Sequence, residues 1–362
     1  MMIQFLHLIL LMPLIGFVVS LLIPEQRENL MSKWTFGMIG LNFTLLFSFV
    51  VVWLIHGAEA TNFKDWSLFQ SDGYNFFLDF YFDKVTAIYG LLGGFLTFLI
   101  TIYSRYYLHR EKGYKRFFNT LWFFNVGYNW AVFSGNLETL FVGWEILGIS
   151  SFLLISFYRE RYLPVKNAVR VFSIYRIGDV GLILAMWLMH HFWHENITFS
   201  ALVDHHLVSE HLSSHNIIGA AIGFLVLLSA YAKSAQIPFS SWLPRAMEGP
   251  TPSSAIFYGS LSVHLGVFLM LRMYPFLESQ TSVRIVMVIL GLITAFITTN
   301  IARVQSSVKS QIAYASIAQI GLIFVEIGFG WLNLALFHFC GNAFLRTYQL
   351  LVSPSVVSYL IR

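Results

Sequence analysis

Several side chains that can hold or release a proton sit inside apolar stretches of this 362-residue chain. Glu145 lies in Gly143-Trp144-Glu145, about six residues into one stretch, which is roughly 9 Å from its start at 1.5 Å per helical residue. Lys233 lies inside another, in Lys233-Ser234-Ala235-Gln236-Ile237-Pro238, and Lys309 stands at the mouth of a third. A charge at bilayer depth costs a few kcal/mol even on lenient scales, so each is expected to face protein or water. Burial favours the neutral form of either residue type and a nearby opposite charge favours the ionised form. A group held between those pressures exchanges a proton when its partner moves. The alternative for Glu145 and Lys233 is a static buried pair that fixes helix packing, and for Lys309 a boundary lysine that snorkels to water.

A second set lies near the C-terminal end. His338, Asn342 and Arg346 recur every four residues and so share one face of a helix. Histidine titrates near neutrality, which suits a proton relay, whereas interhelical hydrogen bonding is the plainer reading for Asn342. Arg176 and Asp179, three residues apart, can neutralise each other. His264 follows Ser260 by one turn and reads either as packing or as proton transfer. Seven histidines crowd into His190, His191, His194, His205, His206, His211 and His215. The His190/His194 spacing could bind a metal, but the acidic residues mixed in favour a solvated surface, so no metal or other cofactor is expected.

These residues need membrane helices to position them. The chain is 57% hydrophobic and 11% charged, with a mean hydropathy of +0.68, a balance that a water-soluble core and surface could not share out. The fold class expected is all-α integral membrane, with about eleven transmembrane helices near 3–23, 35–55, 84–104, 117–133, 139–157, 168–190, 216–244, 252–272, 284–302, 310–328 and 331–351. The first stretch has no basic flank or small-residue cleavage site, and is expected to be a retained span. One cysteine, Cys340, excludes an internal disulfide and a multi-cysteine iron–sulfur site, so any redox chemistry belongs to another chain. The net charge of +4 gives no case for nucleic acid. Basic loops at Arg105–Arg116 and Arg159–Arg170 are expected on the cytoplasmic or matrix side, with the N-terminus outside. Arg272 and Arg284 run against that scheme. The segment with Glu59, Asp65, Asp72, Asp79 and Asp83 reads as an acidic outer loop. The seventh span is too long for one crossing and is interrupted at Pro238 and Pro244, which should free the carbonyls of Ser234 and Ser240 and hint at a hydrated cavity.

The run from Gly135-Asn136 through Gly143-Trp144-Glu145 to Ser150-Ser151-Phe152-Leu153-Leu154-Ile155, then Tyr175-Arg176-Ile177-Gly178-Asp179, resembles the largest antiporter-like subunit of respiratory complex I. So do the Lys233 motif, Trp242-Leu243-Pro244-Arg245-Ala246-Met247 and Gly249-Pro250-Thr251-Pro252-Ser253-Ser254-Ala255. The resemblance spans nearly the whole chain. It implies that Glu145 and Lys233 form the coupled ion pair of a channel, with Lys309 as connecting lysine and His338 as relay. Arg170 stands where the family usually has lysine. Tyr258 stands at a usual histidine, Asn342 at a second relay histidine, Arg346 at a lysine and Ser307 at an aspartate, while His264 could restore one relay point.

Those departures leave room for two relatives that share the half-channel logic, the membrane subunit of DAB-type inorganic carbon accumulation systems and an Mrp-like sodium/proton antiporter subunit. A non-conducting scaffold is the reading of another class. The resemblance implies N-terminal helices in 1–116, a five-helix antiporter-like repeat with a broken helix in 117–272, and an incomplete second inverted repeat in 273–362. A partner membrane subunit would then supply the rest of the path and cover the polar stripe of His338, Asn342 and Arg346, unless the chain is a truncated product. The expected setting is the inner membrane of a bacterium, within a multi-subunit complex that can include a soluble subunit.

Overall fold

In lipid every backbone amide and carbonyl needs an internal partner, so apolar runs of bilayer length become helices. The computed structural model describes residues 2–71, 74–193, 196–204 and 216–360. Its long helices are α1 (Met2–Leu22), α2 (Glu28–Ile55), α3 (Lys84–Tyr107), α4 (Tyr114–Phe133), α5 (Leu137–Ile155) and α6 (Tyr162–Trp193). After the short α7 (Phe199–Leu202) come α8 (Asn216–Lys233) and the four-residue α9 (Trp242–Arg245). The last four are α10 (Thr251–Leu277), α11 (Thr281–Arg303), α12 (Val308–Gly328) and α13 (Leu332–Leu360). Among the described residues nine helices are long and apolar enough to cross a membrane. The other two long ones, α4 and α13, are not among the nine.

The expected acidic loop before α3 is instead an antiparallel hairpin of β1 (Thr61–Ser71) and β2 (Tyr74–Phe82), paired from Thr61 opposite Phe82 to Ser71 opposite Tyr74. It is tied to the α4–α5 turn. Phe80 bridges Ser134, Gly135 N–H donates to the Asp79 carbonyl at 2.7 Å, and the Asn136 side chain donates to the Phe77 carbonyl at 3.2 Å. At the opposite end of the bundle Arg116 donates to the Phe157 carbonyl at 2.9 Å, which brings the two basic loops to one face.

Arg272 pairs with Asp83 at 2.9 Å, and Asp83 also caps α3 by accepting from Thr86 N–H at 2.9 Å. Arg284 likewise spends its donors on the carbonyls of Gly328 and Glu278.

At the centre lies α10, buried on all sides, as expected of a helix that is apolar around its whole circumference. It is irregular: residues Ser254–Leu261 form a π-helix, followed by a 3₁₀ turn at Ser262–His264.

Candidate functional site: a charge cluster and two polar branches

The site begins with close helix packing. A Cβ on Gly143 would lie 2.6 Å from the Gly127 carbonyl oxygen, so only glycine lets α5 approach α4 this closely. That approach leaves Trp144 buried and presents Glu145 to α6. There Arg176 donates to Glu145 Oε2 at 2.7 Å and forms an ion pair with Asp179 Oδ2 at 2.8 Å, while Trp144 Nε1 donates to Asp179 Oδ1 at 2.7 Å. Gly148 leaves room above both cations, since a Cβ there would meet Arg176 and Lys233 Nζ at 3.6 and 3.8 Å.

Lys233 is 2% exposed and ends α8 instead of lying within a continuous span. Its ammonium donates to the Trp144 carbonyl at 3.1 Å and lies over the rings of Trp144 and Tyr175, 4.7 and 4.6 Å from their centres. The direct Glu145–Lys233 pair expected from the motifs is therefore not formed in this conformation. Arg176 takes the Glu145 carboxylate, and the lysine rests on neutral oxygen and aromatic faces. The Tyr175 hydroxyl beside this cluster is buried without a hydrogen-bond partner.

The expected break is real, but Pro238 and Pro244 interrupt no helix: Pro238 lies in the unwound segment between α8 and α9, and Pro244 inside α9. Nor is the Ser234 carbonyl, or those at the end of α8, left to water. Gln236 donates its backbone N–H to the Tyr231 carbonyl at 3.0 Å and its side chain to the Ser234 carbonyl at 3.0 Å, and the Trp242 indole donates to the Ala232 carbonyl at 2.9 Å. Protein replaces the lost ladder, as irregular backbone at membrane depth requires.

The polar stripe of α13 is covered by this chain itself, which corrects the expectation of a lipid-facing stripe needing a partner. Asn342 and Arg346 are only 4% and 7% exposed. Asn342 Nδ2 meets His264 Nε2 of α10 at 3.0 Å, and Arg346 donates to Asn342 Oδ1, Gln349 Oε1 and the Ala315 carbonyl at 3.1, 2.7 and 3.1 Å. His264 Nδ1 bonds the Ser260 carbonyl. One turn earlier, His338 faces the other way, with Nδ1 2.8 Å from Glu326 Oε1 and Nε2 2.9 Å from Gln319 Oε1, both on α12.

Lys309 opens α12, as the sequence placed it. It donates to the Gly249 carbonyl at 3.3 Å and, with Tyr107, Ser307 and Ser353, lines a cleft of about 530 Å³ at the basic-loop end. Arg170 is exposed on α6 and joins neither cluster. Of the crowded histidines, His190 bonds Asn196 at 2.9 Å, while His194, His205, His206, His211 and His215 lie outside the described residues. Among the described residues no His, Cys, Asp and Glu side chains gather into a metal-sized group.

The transmembrane model of the NADH:quinone oxidoreductase/Mrp antiporter family matches residues 134–359, which takes in Glu145, Arg176, Asp179, Lys233, Lys309 and His338. The chain belongs to that family. A second model, for the N-terminus of chain 5 of NADH-ubiquinone oxidoreductase (complex I), matches residues 66–118. The chain is 31% identical over 361 residues to the chloroplastic NAD(P)H-quinone oxidoreductase subunit 5 of Physcomitrium patens, covering 96% of this chain and 49% of that protein. The Arabidopsis thaliana counterpart is 30% identical over 358 residues, covering 95% and 46%. The chain thus spans about half the length of the curated relatives it matches. Two solved structures share the antiporter-family fold. The Mrp complex from Dietzia sp. gives a TM-score of 0.83 at 23% identity, over 94% of this chain and 37% of that one. The archaeal membrane-bound sulfane sulfur reductase gives 0.78 at 18% identity, over 95% and 55%.

Within this family member, four site residues escape motif reading. Trp144 was visible only as part of Gly-Trp-Glu, yet it touches both Asp179 and Lys233. Gln319, seven residues before Glu326, signals a shared helix face, but a carboxylate two residues from a helix end reads as interfacial. Tyr175 shows no charge or spacing signal at all, because its part depends on which helix packs against α6.

Proposed function

We propose that this chain moves protons across an energy-conserving membrane as an antiporter-like subunit of a complex of the NADH:quinone oxidoreductase type. The observation that carries this reading is Lys233: a cation at the end of a broken helix, 2% exposed, held by a carbonyl and two rings next to the Glu145–Arg176–Asp179 cluster. A lysine without a direct carboxylate partner has little to gain as a static strut, because an unmatched buried charge destabilises packing. It gains a role if Arg176 shifts between its carboxylates and so changes the field at the ammonium. In this reading Glu145, Lys233, Lys309 and His338 transfer protons, and Arg170, Arg176, Asp179, His264, Asn342 and Arg346 support them from outside the transfer path, through charge or helix packing. Lys309 stands at the mouth, by the cleft on the basic-loop face.

The division into 1–116, 117–272 and 273–362 is part of the same proposal, as are the basic loops on the negative side and the bacterial inner membrane as the location. Partner membrane subunits complete the assembly. The likeness to the Mrp complex favours a second reading, in which sodium moves against protons.

The test uses the assembly purified from its host and reconstituted in vesicles with a pH-sensitive and a sodium-sensitive dye. Lys233→Ala and Glu145→Gln should abolish proton movement while the assembly stays intact. Full transport in both would sink the proposal, and no transport in the unaltered assembly would favour a non-conducting scaffold.

A further inference from the structure

In one of the two branches on α13 the hydrogens have a single arrangement. Arg346 can only donate, so the Asn342 atom facing it is the oxygen. Asn342 then presents its NH2 to His264 Nε2, which accepts. The Ser260 carbonyl can only accept, so His264 Nδ1 carries the ring hydrogen. A chain that starts on a guanidinium and ends on a backbone carbonyl cannot be reversed, because arginine would have to accept or the carbonyl to donate. Histidine passes a proton when one nitrogen takes it up and the other gives one away. Neither nitrogen of His264 is free to do so. The charged and titratable groups facing His264 are Arg346 and His338 on α13 and Tyr89 on α3, whose hydroxyl meets the His264 carbonyl at 3.4 Å. No carboxylate among the described residues faces it.

The other branch has no such constraint. Glu326 accepts from His338 through Oε1, while its Oε2 is buried with no hydrogen-bond partner, and Gln319 can present either oxygen or NH2 to the ring. Both Glu326 and His338 are partly open, at 14% and 21% side-chain exposure. Glu326 lies in the last turn of α12, at the end of the bundle away from Lys309.

We propose that the His264–Asn342–Arg346 branch is an insulating strut that holds α10 against α13, and that protons reaching α13 leave through His338 with Glu326 as the accepting carboxylate. This rests on the proton-moving reading above and names its outlet. The transfer balances with water as the second partner: His338 gives the Nδ1 proton to the Glu326 carboxylate and takes one at Nε2 from a hydronium ion or protonated water chain reaching its exposed edge, while Gln319, which cannot release a proton, turns its amide aside.

Two measurements on the reconstituted assembly test it. In proton flux, Glu326→Gln and His338→Gln should each lose about 100-fold, the scale of removing a positioned proton carrier, while His264→Gln, whose oxygen can still accept from Asn342, keeps near-normal flux. In ¹⁵N spectra of histidine-labelled protein, the His264 ring, assigned by its loss in His264→Gln, should stay in the Nδ1–H form between about pH 5 and 9, the range in which an ordinary histidine titrates. Loss of flux in a folded His264→Gln with flux kept in Glu326→Gln would overturn the proposal, as would protonation of His264 Nε2 in that range. If the unaltered assembly moves no protons, the proposed function fails, and the spectra still decide whether His264 is a fixed strut.

Discussion

Trp144 donates its indole N–H to Asp179 Oδ1 at 2.7 Å and accepts from Lys233 at its carbonyl at 3.1 Å, so one residue joins the anionic and cationic parts of the cluster. Trp144→Phe keeps the carbonyl and most of the ring but leaves a buried carboxylate oxygen without its donor. The cost should be about 1–3 kcal/mol, seen as a lower thermal unfolding midpoint in detergent. Adding Asp179→Asn should recover part of it. An unchanged midpoint in Trp144→Phe would show that the indole bond contributes nothing.

Arg176 is the shared cation of two carboxylates. Arg176→Ala should destabilise by about 1–2 kcal/mol, a figure kept low because its side chain is 41% exposed and solvent screens part of the loss. Asp179→Asn in the same chain should restore stability, since it removes one of two like charges left side by side. A double variant no more stable than Arg176→Ala would refute this.

The Asp83–Arg272 pair is more deeply buried, with the arginine side chain only 3% exposed. Asp83→Ala should cost about 3–5 kcal/mol by stranding the guanidinium, and Asp83→Ala with Arg272→Met should cost less than the single change. Thermal midpoints of the three proteins check the order.

Gly143→Ala places a methyl against the backbone of α4, where no side chain can give way. The expected result is poor insertion or a loss of about 1–3 kcal/mol from overpacking, together with loss of proton flux. Normal yield and flux would mean that α4 and α5 can separate without consequence.

Sidedness can be read by maleimide labelling in a Cys340→Ser background. A cysteine at Glu160, in the second basic loop, should react only from the negative side, and one at Glu59, ahead of the hairpin, only from the positive side. The reverse pattern would invert the topology.

The apolar runs made the helices legible, and the four-residue spacing of His338, Asn342 and Arg346 made the stripe legible. What covers the stripe was not, because the pairing of α13 with α10 and α12 depends on packing between segments far apart in sequence. The hairpin was hidden for a different reason: acidic residues at Asp65, Asp72 and Asp79 suggested solvent, whereas Asp79 is buried and its backbone bonds the α4–α5 turn. Pro238 marked the break, but that α8 stops at Lys233 follows from Gln236 and Trp242 capping its last carbonyls, which proline spacing alone does not encode.

The wide turn of α10 at Ser254–Leu261 amounts to a surplus residue accommodated inside a helix. Each residue advances an α-helix by about 100° around its axis, so removing one from this stretch would swing everything beyond it through that angle. His264 would then point away from α13, and Asn342 and Arg346 would face a different side chain. The aim of the imidazole is thus set by a count of residues in the turn before it, and a one-residue deletion there should disconnect the strut without altering any of its three members.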